Sequence, residues 1–222
     1  MQKSDIMNFS PTVYLFTGLL QTAFNSFRKP KQVNYNREYI KLQDGGQISL
    51  DWAKPITYQK DENIENIYNI NQKNNKSNND NFKKEFRIER EYEPQNDQKI
   101  MFIVHGLTGG SDGNYIQQLV RTCQKNGFRV VAYNSRGVNN QMTSPMPNNG
   151  VDLSDLDIAL NKVKERYPEA PVFAVGTSFG GNQILRWTAQ QQKENGYCFL
   201  KGVIGLSVPF DVQNVMNNMD AK

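Results

Sequence analysis

A serine flanked by glycines is the residue of this sequence best placed to do chemistry. Gly176-Thr177-Ser178-Phe179-Gly180 fits the pattern G-x-S-x-G, between an apolar run typical of a buried strand and a segment typical of a helix. A serine on a sharp strand-to-helix turn exposes its hydroxyl group, and flanking glycines leave room for that turn. The pattern therefore predicts Ser178 as a nucleophile, with Gly176 and Gly180 as the residues that permit its backbone conformation.

A second glycine-rich segment could stabilise the negative charge that such an attack creates. His105-Gly106-Leu107-Thr108-Gly109-Gly110 directly follows an apolar run. Attack on a carbonyl carbon places charge on the carbonyl oxygen, which two preorganised N–H donors can stabilise. The predicted donors of this oxyanion hole are the backbone N–H groups of Leu107, in the loop after a strand, and of Phe179, next after the serine.

The only histidine of the sequence has two interpretations. We expect His105 and Gly106 to be structural residues that orient the loop. The alternative is that His105 serves as the base that takes the proton of Ser178, because a serine nucleophile needs such a base.

Two kinds of periodicity predict the elements that must position these loops. Alternating residues on both sides of the Asp-Gly-Gly turn at 44–46 predict a β-hairpin. Alternating strands and helices follow and predict a parallel sheet covered on both faces. The predicted strands are 100–104, 128–133, 171–175 and 200–208, and the predicted helices are 114–126, 151–167 and 179–192.

Composition divides the chain into an N-terminal helical or extended segment, 1–36, and a domain over 37–222. An asparagine-rich insertion at about 54–97 has few apolar residues and is predicted to be a disordered surface loop. The apolar stretch at 13–20 is far shorter than the roughly 20 residues of a spanning helix. It predicts either a helix packed on the domain edge or an interfacial helix, so we expect a cytoplasmic or peripheral membrane protein.

Overall composition excludes several functional classes. The 222 residues carry a formal net charge of +4, and no basic run with interleaved aromatic residues favours nucleic-acid binding. Two cysteines, Cys123 and Cys198, are too few for a disulfide-rich scaffold or a cysteine zinc site, and they are expected to be small buried hydrophobic residues. A single histidine excludes a multi-histidine site, so neither a metal nor a cofactor is predicted.

The two motifs, their order and their spacing resemble the α/β-hydrolase superfamily. The sequence is more closely similar to the YheT-like branch of abhydrolase-domain esterases and lipases. That similarity rests on four further segments, Gly18–Thr22 with Leu19 in place of a histidine, the turn at 44–46 with Leu50–Trp52, Asn134–Gly137, and Ser207–Asp211. The resemblance implies a serine esterase or lipase that forms an acyl-enzyme from acyl esters or glycerolipids. Acyl transfer to an alcohol is a variant of the same chemistry.

The resemblance also indicates which catalytic residues are missing from this sequence. In this fold the triad acid and histidine follow the serine, and no histidine follows Ser178. Asp211 is expected to belong to a Pro-Phe-Asp structural element rather than to the triad. We therefore expect an apparently truncated domain with strands one to six only, and little activity as this fragment.

Two further expectations come from the missing part of the fold. The alternative to an enzyme is a non-catalytic binding or scaffold protein that retains the serine turn as a relic. A sheet that ends at the sixth strand would leave 200–208 as an exposed apolar edge. Such edges pair with other chains, so self-association is predicted.

Overall fold

A computed structural model describes residues 32–55, 96–107, 109–211 and 214. Within these ranges six strands and three helices alternate as the periodicity predicts. Their bounds are β1 Tyr35–Lys41, β2 Gln47–Ala53, β3 Ile100–Val104, α1 Asn114–Lys125, β4 Arg129–Asn134, α2 Ser154–Arg166, β5 Val172–Thr177, α3 Phe179–Asn195 and β6 Gly202–Leu206. The strands form one sheet in the order β1-β2-β4-β3-β5-β6.

The sheet is antiparallel at one side and parallel elsewhere. β1 pairs with β2, and β2 pairs with β4, in antiparallel register. β3 pairs in parallel with both β4 and β5, and β5 pairs in parallel with β6. At the predicted hairpin turn Gly45 has a φ of 81°, which a residue with a side chain adopts only with strain. The predicted hairpin and parallel sheet are therefore confirmed.

Helices cover both faces of the sheet, which explains why its inner strands β3, β4 and β5 are largely continuous apolar runs. α1 packs Ile116, Val120 and Cys123 against one face. α2 and α3 cover the other, where Leu160 and Trp187 are almost completely buried. Cys123 is a buried hydrophobic residue, as predicted, and burial raises the pKa of its thiol to about 11.

Several predicted boundaries are wrong by a few residues. α2 begins at Ser154 rather than 151, and Val151 is 73% exposed. α3 continues to Asn195, where Gly196 ends it in the left-handed conformation. β6 covers only Gly202–Leu206 of the predicted 200–208.

β6 lies at the edge of the described sheet, and Ile204 and Leu206 on it are 54% and 42% exposed. Self-association through this edge stays a prediction. The apolar stretch at 13–20 and most of the asparagine-rich insertion lie outside the described residues. Among the described helices, none combines the length and apolarity that crossing a membrane requires.

Candidate active site

The predicted nucleophile occupies a strained turn between β5 and α3. Ser178 has φ 50° and ψ −120°, a conformation that favours glycine. Its N–H donates to the carbonyl of Leu206 on the neighbouring strand at 2.7 Å, and its carbonyl accepts from the N–H of Asn182 at 3.1 Å. The residue is exposed at the carboxyl end of β5. These bonds hold the strained backbone while the side chain stays open to solvent.

Three residues at this turn must be glycines, because a Cβ atom on any of them would clash with neighbouring backbone or side-chain atoms. A Cβ on Gly176 would come within 2.4 Å of the carbonyl oxygen of Gly180. One on Gly180 would come within 2.2 Å of the carbonyl oxygen of His105, and one on Gly181 within 2.7 Å of Val208. The glycines of the motif therefore allow α3 to approach both β3 and β5 closely.

Replacing Ser178 with glycine is expected to raise the free energy of unfolding by about 1 kcal/mol, because it relieves the positive φ. Glycine also makes the unfolded chain more flexible, which offsets part of the gain. Urea unfolding of the two proteins measures the difference. Ser178→Ala keeps the Cβ atom and is the matched control. A glycine variant no more stable than the alanine variant would contradict this assignment of strain.

The loop that contains the first predicted oxyanion donor passes beside this serine. A Cβ on Gly106 would lie 3.5 Å from the Cβ atom of Ser178. Leu107 follows directly and is 71% exposed. Phe179, the second predicted donor, is the first residue of α3, where backbone N–H groups have no partner within the helix. The structure thus brings both predicted donor residues to the surroundings of Ser178.

The His105 side chain is engaged on both of its ring nitrogens. Nδ1 lies 2.6 Å from the carbonyl oxygen of Gly106, so it bears the proton and donates. Nε2 accepts from the N–H of Ser135 at 3.3 Å. The ring is 6% exposed and stacks on Tyr133, with 6.2 Å between the ring centroids. These contacts join the ends of β3 and β4, and the structural role of His105 stays a prediction.

Burial lowers the pKa of His105 below its ordinary value, and the hydrogen bond to Gly106 partly opposes this effect. The unfolded chain therefore binds a proton near pH 6.5 that the folded chain does not bind. We expect the free energy of unfolding to fall as the pH drops from about 7.5 through the unfolded-state pKa near 6.5, because the unfolded chain then binds more protons than the folded chain.

Urea unfolding of wild type and His105→Gln across that range tests the effect. The difference between the two proteins isolates the histidine from other titrating groups. A variant with the same pH dependence as wild type would show that His105 does not cause it.

Sequence reasoning missed two tyrosines beside the loop. The Tyr115 hydroxyl group accepts from the N–H of Gly106 at 3.1 Å. The Tyr35 hydroxyl group donates to the carbonyl of Ser111 at 2.9 Å. Tyr115 is nine residues past Gly106, so its place in a short strand-to-helix loop could have indicated the first contact. Tyr35 is distant in sequence and gives no such signal.

Exposed apolar side chains lie in the segments that follow the parallel strands. The four most exposed are Leu107 after β3, Met146 and Val151 after β4, and Phe210 after β6, with exposed fractions of 71%, 58%, 73% and 79%. Asp211 is exposed, and its carboxylate accepts from the backbone N–H of Asn214 at 2.9 Å. In open α/β sheets the segments at the carboxyl ends of the strands form the ligand-binding edge.

Comparison with known proteins identifies the same fold. The family model for the alpha/beta hydrolase fold matches residues 99–204. The solved esterase Pf2001 of Pyrococcus furiosus superimposes with a TM-score of 0.53 at 15% identity, over 90% of this chain and 59% of that chain. Est1E of Butyrivibrio proteoclasticus gives a TM-score of 0.53 at 15% identity, over 82% of this chain and 56% of that chain.

Sequence relatives have names that describe lipid hydrolysis. The chain is 30% identical to human phospholipase ABHD3, over 81% of this chain and 37% of that protein. It is 29% identical to the monoacylglycerol lipase of Saccharomyces cerevisiae, over 90% of this chain and 45% of that protein. The chain thus spans less than half the length of these two relatives. Together, the six-stranded sheet, the family match and these similarities show that the chain has the α/β-hydrolase fold.

Proposed function

We propose that this chain provides the nucleophile and the oxyanion hole of a serine ester hydrolase. Ester hydrolysis as such is supported by the family and by the names of its relatives. The observation that carries the serine mechanism is the exposed Ser178 at φ 50° on the turn between β5 and α3. Strain of this kind persists where the surrounding structure maintains it, and it is concentrated at functional sites.

In the proposed reaction Ser178 Oγ attacks the carbonyl carbon of an acyl ester. A C–O bond forms, the serine proton passes to a base, and the carbonyl electron pair moves onto oxygen. Collapse of this tetrahedral species breaks the bond to the alcohol oxygen, which leaves and takes up a proton. The acyl-enzyme remains until water hydrolyses it.

The proposed oxyanion hole consists of the backbone N–H groups of Leu107 and Phe179. Gly106 lies against Ser178, and Phe179 begins α3, so one donor residue lies in the loop after β3 and the other at the start of a helix, both next to the serine. Donors whose orientation is set in advance need no reorganisation when charge develops, and each contributes about 3 to 4 kcal/mol to transition-state stabilisation in known acyl-transfer enzymes.

The proposed substrates are acyl esters, including glycerolipids. The names of the human phospholipase and the yeast monoacylglycerol lipase support this class. So do the exposed Leu107, Met146 and Phe210, which follow strands at the edge that contains Ser178. Apolar side chains of this kind favour an acyl chain over a polar leaving group.

Among the described residues, the proposed site has no histidine that is free to act as its base. His105 is the only histidine of the sequence, and Gly106 and Ser135 engage its ring nitrogens. We therefore expect slow acylation by activated esters, assisted by solvent hydroxide, and still slower deacylation. An acyl-enzyme should accumulate without rapid turnover.

Incubation with p-nitrophenyl butyrate followed by intact mass spectrometry and peptide mapping tests the proposal. The expected result is one butyryl group per chain, located on Ser178. No acylation of that residue would contradict the nucleophile and favour a binding or scaffold protein. Rapid turnover that His105→Gln abolishes, with the fold intact, would instead identify His105 as the base.

A further inference from the structure

A buried polar cluster lies behind the loop that contains Leu107. We call Asp51, Ser111 and Asn134 the anchor cluster. All three are almost completely inaccessible, with exposed fractions of 0%, 2% and 0%. They come from β2, from the loop between β3 and α1, and from the last position of β4. Buried polar groups are costly unless they are hydrogen-bonded, so the partners of this cluster define what it does.

Every polar atom of Ser111 has a partner in the anchor cluster or beside it. Its N–H donates to Asn134 Oδ1 at 2.9 Å, and its hydroxyl group donates to Asp51 Oδ2 at 2.5 Å. Its carbonyl accepts from the Tyr35 hydroxyl group at 2.9 Å. Three bonds in different directions fix the position of Ser111 relative to β1, β2 and β4.

Asp51 is itself held in one orientation. Arg37 on β1 is its cross-strand neighbour and donates twice, from Nε to Oδ1 at 2.6 Å and from Nη2 to Oδ2 at 2.7 Å. The side-chain amide of Asn134 donates to Oδ2 at 3.0 Å. A bidentate arginine pair compensates the buried carboxylate and fixes its plane. Asp51 therefore presents a rigid acceptor to Ser111.

Further contacts fix the loop from β3 to α1, which contains both Leu107 and Ser111. Between Leu107 and Ser111 is Gly110, where a Cβ would come within 2.4 Å of the side-chain amide of Asn139. That amide also donates to Ser111 Oγ at 3.2 Å. At the other end of the loop the N–H of Gly106 donates to the Tyr115 hydroxyl group. The exposed Leu107 is thus held between two fixed points of the loop.

We propose that the anchor cluster is a positioning device for the oxyanion hole. It acts by fixing the loop so that the Leu107 N–H points at the oxygen of the bound ester. This inference rests on the proposed function of Ser178 and Leu107. A donor helps most when its orientation is set before charge develops. Loosening the loop should therefore reduce the stabilisation of the transition state more than it reduces the affinity for the ester.

The test uses Ser111→Ala in the full 222-residue chain. The substitution removes the hydroxyl group and leaves the backbone bonds of Ser111 available. We expect the acylation rate constant with p-nitrophenyl butyrate to fall about tenfold, with little change in the half-saturating ester concentration. Amide hydrogen exchange of residues 105–113 should become faster by about tenfold, while β3, β4 and β5 keep their protection.

A matched control comes from the hairpin of β1 and β2, which contains Asp51 of the anchor cluster. Glu38→Gln on β1 changes an ion pair with Arg166 at 2.8 Å and a hydrogen bond from Trp52 Nε1 at 3.0 Å, neither of which involves the loop. It should leave the acylation rate constant and the exchange of 105–113 unchanged. A general loss of stability would alter both variants in the same way, so the contrast between them isolates positioning.

A second variant keeps the test decisive if Ser111→Ala does not fold. Asn139→Gly removes the amide that donates to Ser111 Oγ, and glycine tolerates the φ of 52° at that position. It should shift both readouts in the same direction by about threefold.

Unchanged acylation and unchanged loop exchange in both variants would overturn the positioning role. If wild type acquires no acyl group on Ser178, the proposed function fails. Hydrogen exchange of 105–113 still decides whether the anchor cluster holds the loop.

Discussion

Replacing Ser178 with alanine is expected to reduce acylation by p-nitrophenyl butyrate by at least about 100-fold, to the level of chemical background. The loss should be smaller than the roughly million-fold loss seen when a complete triad loses its serine, because the described residues include no histidine that is free to assist the attack. The physical reason is the loss of the proposed attacking oxygen, while the loop at Gly106 and the start of α3 remain in place. The rate of p-nitrophenolate release and the mass of the intact chain measure this effect.

Ser207 provides the control for this experiment. It is also an exposed serine with a positive φ, 52°, and it directly follows β6 beside the Ser178 turn. Ser207→Ala should leave acylation of Ser178 unchanged. If Ser178→Ala is acylated as fast as wild type, the nucleophile is a different residue, and peptide mapping of the labelled variant would identify it.

Replacing Gly180 with alanine is expected to lower the free energy of unfolding by about 3 kcal/mol or more. The added methyl group would meet the carbonyl oxygens of His105 and Val104 at 2.2 and 2.7 Å. Both are backbone atoms at the end of the central strand β3, so no side chain can rotate aside. α3 would have to move away from β3, which opens the core around Ile184 and Trp187. Urea unfolding followed by far-UV circular dichroism measures the change.

A strand glycine provides the matched control. At Gly202 a Cβ would meet only the side chain of Phe173, at 3.1 Å, and that ring can shift. Gly202→Ala should therefore change the free energy of unfolding by less than about 1 kcal/mol. Equal losses in the two variants would mean that the close approach of α3 to β3 is not what requires glycine at position 180.

Local sequence patterns determined the framework and the motif of the site. The Asp-Gly-Gly turn predicts the hairpin of β1 and β2, and the apolar runs predict β3, β4 and β5. The pattern G-x-S-x-G between a strand and a helix predicts the turn at Ser178, which the structure shows with a positive φ. Such features depend on residues close in sequence, where steric limits and turn preferences act directly. The YheT-like branch and the roles of the site residues remain predictions.

Only the tertiary structure decided how the polar residues behind the loop are used. Along β2, Ser49 and Asp51 alternate with apolar residues and could equally face solvent, yet both are completely buried. Asp51 meets Ser111 and Asn134, which are 60 and 83 residues away in sequence. His105 likewise has its Ser135 partner 30 residues away. Periodicity shows which face a side chain takes, but a hydrogen-bond partner depends on which strands become neighbours, and the packing of the whole sheet sets that.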